Sequence, residues 1–317
     1  MVNIPTEIIK IARPVHWVKN LALFAALIFS RNLGSEFLFE KVVIGFIAFC
    51  LATSSAYIFN DILDVESDKL HPLKKSRPVA AGRLPIPLAI GVMVIFSFAA
   101  ILISYSINSL FFLLVISYIL LQIFYSLILK NIPIIDILVI AAGFIIRVYA
   151  GAFIIDAHLS VWFLLCVISV SLFLASGKRR AELNIKTSGV TRKSLSNYSR
   201  VLLNSYVTMF GNAAWMSWAL FTFFESPTPS TPLWLFLAEI SRTTTISKLL
   251  MLTIPVVIFG IMRYENLIFE GQSEAPEKLL LTDKGLIMSV FIWLILIVWI
   301  LYGGVTLITL SNLQPLA

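Results

Sequence analysis

The sequence predicts an all-α, polytopic membrane protein of about nine transmembrane helices, folded as a single domain over residues 1–317. Two observations predict it. Apolar residues make up 59% of the chain and charged residues only 13%, with a mean hydropathy of +0.94. Soluble domains carry roughly 45–50% apolar and about 25% charged residues, so this chain has too little polar surface to coat a water-soluble globule. The apolar residues also fall into separate runs of about 20, the length an α-helix needs to cross a bilayer.

In chain order the runs predict helices near 15–30, 41–60, 86–105, 108–129, 132–154, 160–176, 201–224, 246–263 and 285–310. The first is short, and Lys19 within it has to snorkel to the interface. The apolar stretch Leu233–Ile240 is too short to span and is expected along the surface. The basic start followed by an apolar run mimics a signal peptide, but no small-x-small cleavage site follows, so the chain reads as mature protein. Cys50 and Cys166 lie in separate apolar runs without metal-ligand spacing and read as buried hydrophobes.

Basic residues set the expected orientation. Lys10, Arg13 and Lys19 lie at the start. Lys69, Lys74, Lys75, Arg77 and Arg83 follow the second helix, and Lys130 follows the fourth. Lys178, Arg179, Arg180, Lys186, Arg192, Lys193 and Arg200 follow the sixth, and Arg263, Lys278 and Lys284 the eighth. All these segments share one side, while the other holds Arg31, Lys41, Arg242 and Lys248. The first side is therefore expected to be cytoplasmic, with the N-terminus inside. The net charge of +7 reflects this asymmetry rather than nucleic-acid binding, since no soluble basic domain exists to carry it.

Chemistry is concentrated where the second helix leaves the membrane, in Asn60-Asp61-Ile-Leu-Asp64-Val-Glu66-Ser-Asp68. At about 100° per residue, Asn60, Asp61, Asp64 and Asp68 fall within an arc of about 100° on one helix face. Crowded carboxylates repel unless a cation joins them. Magnesium suits the set, because it takes oxygen ligands, one or two of them carboxylates, and completes its shell with water and substrate phosphates. Lys69, His71, Lys74, Lys75 and Arg77 follow at once, so cation-binding and anion-binding groups share one short stretch. This combination favours a magnesium-bound diphosphate over a solvated helix end.

The pattern Asn60-Asp61-x-x-Asp64-x-x-x-Asp68, followed by Arg77-Pro78-x-Ala80-x-Gly82, resembles the first signature of the UbiA-type intramembrane prenyltransferases. The resemblance implies about nine helices around a central cavity, with the first aspartate motif holding a magnesium-bound diphosphate. Members that prenylate aromatic rings carry a second aspartate-rich motif after the sixth helix. Here that stretch reads Ser176-Gly177-Lys178-Arg179-Arg180-Ala181-Glu182-Leu183, with one acid among three bases. The departure points to a cationic pocket for a second phosphate.

One branch of the superfamily, the decaprenyl-phosphate phosphoribosyltransferases, is similar in this respect. The similarity rests on Arg13-Pro14-x-His16-Trp17-x-Lys19-Asn20, Tyr125-Ser126-x-x-x-Lys130, Gly143-Phe144-x-x-Arg147-x-x-Ala150-Gly151 and Lys178-Arg179-x-Ala181-Glu182-Leu183. Arg263-Tyr264 and Ala275-Pro276-Glu277 add to it.

The resemblance implies transfer of 5-phosphoribosyl from 5-phosphoribosyl 1-diphosphate to a polyprenyl, decaprenyl-like phosphate, with pyrophosphate released. Asp61, Asp64 and Asp68 are then the expected catalytic groups and, with Asn60, the Mg²⁺ ligands. Asn60, Lys19, Lys74, Arg77, Tyr125, Lys130, Asp136, Arg147, Lys178, Arg179 and Glu182 are the expected substrate contacts. Asp136 and Arg147 are 11 residues apart, about 16 Å by helical rise, so they are not expected to pair. The implied setting is the bacterial plasma membrane, with the active site at the cytoplasmic face and a homo-oligomer compatible with it. Two other readings remain: an aromatic-acceptor prenyltransferase of the same superfamily, and a transporter with a cation site. The acidic cluster sits at a helix end among bases, whereas transporter ion sites lie near the midplane on broken helices.

Overall fold

The computed structural model describes residues 3–71, 74–183, 198–225, 244–270, 279 and 282–303. The expected surface stretch 233–240, the bases Lys186, Arg192, Lys193, Arg242 and Lys278, and the 275–277 motif lie outside the described residues.

A short amphipathic helix α1 (Ile4–Ala12) opens the chain and is followed by a 3-10 segment, Pro14–Leu23, that runs into α2 (Phe24–Phe29). Then come α3 (Glu36–Leu63), α4 (Val65–Leu70), α5 (Ile86–Ile107), α6 (Ser109–Leu127), α7 (Ile135–Ile154) and α8 (Val161–Glu182). The described chain ends with α9 (Arg200–Phe224), α10 (Ile254–Phe269) and α11 (Lys284–Tyr302). The starts follow from sequence. The side chains of Ser35, Asn108, Ser160, Ser199 and Asp283 each accept from an N–H in the first turn of the helix they precede, satisfying donors that otherwise lack a partner.

Among the described residues, seven helical stretches are long and apolar enough to cross a membrane: α3, α5, α6, α7, α8, Lys248–Phe269 and α11. They coincide with seven of the nine expected spans; the other two, α9 and the first, are helical but fall outside this set. α9 is 25 residues long, but Asn204, Ser205, Asn212 and Ser217 make it less apolar. The predicted first span is not one helix. Its 10-residue 3-10 segment rises about 2.0 Å per residue against about 1.5 Å in an α-helix. With the 6 residues of α2 it reaches about 29 Å, close to the hydrocarbon thickness, so an unusually short stretch suffices.

Unwound backbone in lipid has to be satisfied and packed by protein. Here α3 and α7 do this. A Cβ at Gly151 of α7 would lie 1.9 Å from the Leu23 carbonyl oxygen, so only glycine permits this approach. Gly151→Ala is expected to destabilise the protein by about 1–3 kcal/mol through overpacking, read as a lowered thermal midpoint in detergent.

Leu23, Ala26, Phe49, Phe111, Val115 and Tyr118 form the main core between these elements and α6. Many apolar side chains on α5, α6 and α11, such as Phe98, Leu113 and Phe291, point outward and are exposed, as expected where lipid replaces water.

Candidate active site

The acidic motif lies where α3 ends, and its geometry departs from the predicted single face. α3 stops at Leu63, Asp64 caps it with φ −93° and ψ 8°, and α4 resumes at Val65. The four side chains consequently divide into two pairs, each bridged by a base. Arg77 Nη1 donates to Asp61 Oδ1 at 3.0 Å and to Asp68 Oδ2 at 2.5 Å. Lys130 Nζ donates to Asp64 Oδ1 at 2.6 Å and to Asn60 Oδ1 at 3.4 Å. Asn60 Nδ2 closes the second pair on Asp64 Oδ2 at 3.0 Å. Asp61 receives a second guanidinium, that of Arg13.

Burial separates the carboxylates. Asp61 is 2% exposed, whereas the Asp64 side chain is 21% exposed. Burial pushes the Asp68 carboxyl up, opposed by Arg77 and Lys74.

Arg13 is a site residue that the sequence reading did not single out. It lies 48 residues from Asp61 in the chain. Its backbone is left-handed, φ 54° and ψ 61°, a region non-glycine residues enter rarely. That turn ends α1 and aims the guanidinium at Asp61, with Tyr57 beneath it at 4.9 Å. The signal available in sequence was its place in the stretch Arg13-Pro14-x-His16-Trp17-x-Lys19-Asn20.

Whether these groups suit magnesium is a question of donor chemistry. Among the described residues no three His, Cys, Asp or Glu side chains gather as a chelating group. The expected convergence of three aspartates is therefore corrected to two oxygen-donor pairs. Such a divided, all-oxygen set still fits Mg²⁺, which is usually held by one or two carboxylates and substrate phosphates rather than by a closed protein cage.

The second polar cluster also differs from expectation. Lys178–Glu182 are not in a loop but form the last turn of α8. Arg179 does not offer a free fork to a phosphate. It is fully buried, its Nε lies 2.6 Å from Asp136 Oδ2, and its Nη2 donates to the Tyr125 hydroxyl at 2.7 Å. Nη1 pairs with Glu182. Asp136 is likewise fully buried and accepts from the Tyr198 hydroxyl at 2.7 Å. Arg179, Asp136 and Tyr125 thus tie α6, α7 and α8 together. Burial pushes the Tyr198 phenol well up, which keeps it a donor.

Arg147 is corrected too. It does not pair with Asp136, as expected, but neither does it reach the acidic motif. It donates to Asn20 at 2.7 Å, Gly143 O at 2.5 Å and Tyr118 at 2.8 Å, all neutral acceptors. These contacts brace the 3-10 segment against α6 and α7. Lys19, Lys74 and Lys178 are half-buried, and Lys74 faces Asp68.

The site is thus a cluster at the end of α3 in which acids and bases alternate. Residues 21–240 match the model of the UbiA prenyltransferase family. The chain is 34% identical to the decaprenyl-phosphate phosphoribosyltransferase of Mycolicibacterium smegmatis, over 92% of this chain and 91% of that one. It is also 34% identical to the Corynebacterium glutamicum protein of the same name, over 95% of this chain and 88% of that one. A UbiA homologue from Archaeoglobus fulgidus, solved bound to GPP and Mg²⁺, superposes with a TM-score of 0.65 at 15% identity over 92% of this chain and 97% of the other. The family match over most of the chain, the shared fold and the acidic motif at its helix end agree: this integral membrane protein belongs to the UbiA prenyltransferase family.

Proposed function

We propose that the chain is a Mg²⁺-dependent glycosyltransferase of the bacterial plasma membrane. It moves 5-phosphoribosyl from 5-phosphoribosyl 1-diphosphate to a polyprenyl, decaprenyl-like phosphate, and its active site faces the cytoplasm. The observation that carries the reading is the alternation of acids and bases at the end of α3, in a chain similar along its length to proteins named for this transfer. The orientation is supported by Arg13, Arg77 and Lys130, bases gathered among the acids at the end of α3.

In this reading Asn60, Asp61, Asp64 and Asp68 hold Mg²⁺, which when bound neutralises charge growing on the leaving diphosphate. Arg77, Lys130 and Arg13 stand among these acids and bind the diphosphate oxygens. Lys74, Lys19 and Lys178 contribute positive charge toward the acceptor phosphate. An acceptor phosphate oxygen forms the new bond to C1 as the C1–diphosphate bond breaks, and pyrophosphate leaves with the bonding electrons. The nucleophile is already an anion, so the site needs no histidine or cysteine base. C1 gains oxocarbenium character, as in glycoside cleavage, and positioning carries most of the rate.

Prenyl transfer to an aromatic acceptor is disfavoured by the second polar segment. Residues 184–197 contain no Asp or Glu, and Glu182 pairs with Arg179. The test is purified protein with labelled phosphoribosyl diphosphate and decaprenyl phosphate. Label is expected in the lipid fraction with Mg²⁺ and is lost with a chelator. Turnover only with a prenyl diphosphate and an aromatic acceptor overturns the assignment.

A further inference from the structure

Arg77 and Arg13 both reach Asp61, yet they come from separate segments that must be held in register. Arg77 follows α4 and a 3-10 turn at Lys74–Ser76. Arg13 terminates α1. One buried carboxylate touches both arrangements. Glu7, on α1, is 5% exposed although α1 otherwise presents Ile4 and Ile9 outward. Its Oε2 accepts from Arg83 Nε at 2.9 Å and its Oε1 from Lys10 Nζ at 2.6 Å.

Arg83 Nη2 in turn donates to the carbonyl of Ser76 at 2.6 Å, the residue next to Arg77. The turn between them is closed by bonds from Ala81 N to Arg77 O at 2.8 Å and from Arg83 N to Pro78 O at 2.9 Å. Gly82 at φ +70° allows it. Beneath the chain of contacts Ile11, Ile58, Val65, Val79 and Leu84 pack as a small core that joins α1 to the turn.

We propose that Glu7 is a positioning residue of the diphosphate site, setting the Arg77 guanidinium across Asp61 and Asp68 through Arg83 and the Ser76 carbonyl. It touches no reacting atom. Apolar contact alone is non-directional, whereas the Glu7–Arg83–Ser76 relay constrains the turn at a defined point. Lys10 first and Arg83 next hold the Glu7 carboxyl below its ordinary value of 4.5, so the relay is ionised at neutral pH.

The inference rests on the diphosphate reading of the site, so the probe is magnesium pyrophosphate, which either transferase reading releases. Its Kd is measured by calorimetry on full-length protein in detergent. Wild-type binding tests the site itself, and its absence would refute the diphosphate reading rather than the role of Glu7.

Given binding, Glu7→Gln is expected to weaken it by about tenfold, the cost of about 1.4 kcal/mol. In an Arg77→Lys background the same change should add less than about twofold, because the relay then has no fork to place. In a Lys130→Arg background the full factor should persist. Equal factors in both backgrounds, or no effect in wild type, would overturn the proposal. Glu7→Asp supplies the same comparison with the charge retained should Glu7→Gln fold poorly.

Discussion

Asp64→Asn is expected to lower kcat/KM for phosphoribosyl transfer by at least ~100- to 1,000-fold, the scale of removing one group that stabilises transition-state charge. The protein should remain folded and inserted. Among the three aspartates this one isolates chemistry from architecture. Asp61 is 2% exposed between two guanidinium groups, so its loss would also strand buried charge. Asp64 is 21% exposed and, among the described basic side chains, pairs with Lys130 alone, at 2.6 Å. The amide is isosteric and removes the negative charge that a magnesium ligand supplies, at the cost of one of the two bonds Asp64 accepts from Asn60 and Lys130. A steady-state assay across Mg²⁺ concentrations, beside a thermal melt, decides it. Near-normal turnover would exclude Asp64 as a metal ligand.

Asp136→Asn is expected to cost up to about 3 kcal/mol of stability, less than the ~3–5 kcal/mol of a wholly stranded buried charge, because Arg179 keeps Glu182. Arg179 and Asp136 are both fully buried and 2.6 Å apart. The amide leaves the guanidinium with Glu182, whose side chain is 21% exposed, and weakens the bond from Tyr198. The signature separating this from a catalytic effect is a double variant. Asp136→Leu with Arg179→Met removes both charges and should recover part of the lost stability relative to Asp136→Asn. Thermal unfolding in detergent reads both. If Asp136→Asn leaves the midpoint unchanged, the pair is not the strut described here.

The fold class was legible because lipid imposes a one-dimensional code: apolar run lengths identify most crossings without tertiary information. The acidic motif was legible because its members lie within one short stretch. What escaped were relations across the chain. Nothing near Asp61 in sequence announces Arg13. Arg179 looked like a phosphate fork because one of the two acids that occupy it, Asp136, sits on another helix. The break at Asp64 was invisible for a different reason. Val65–Leu70 continues the helical pattern, and only backbone angles at one residue separate the two helices. The first crossing was misjudged because hydropathy measures composition, while the rise per residue depends on which hydrogen bonds the backbone makes.

That first crossing has a consequence for how the protein is made. Its carbonyls and polar side chains find partners that are synthesised later: Ser54 for Ala12, Arg147 for Asn20, and Tyr302 for Ile28. A nascent chain leaving the ribosome therefore meets the bilayer with its opening pass still lacking these bonds. The segment made first can complete its bond to Tyr302 only once α11 has been synthesised.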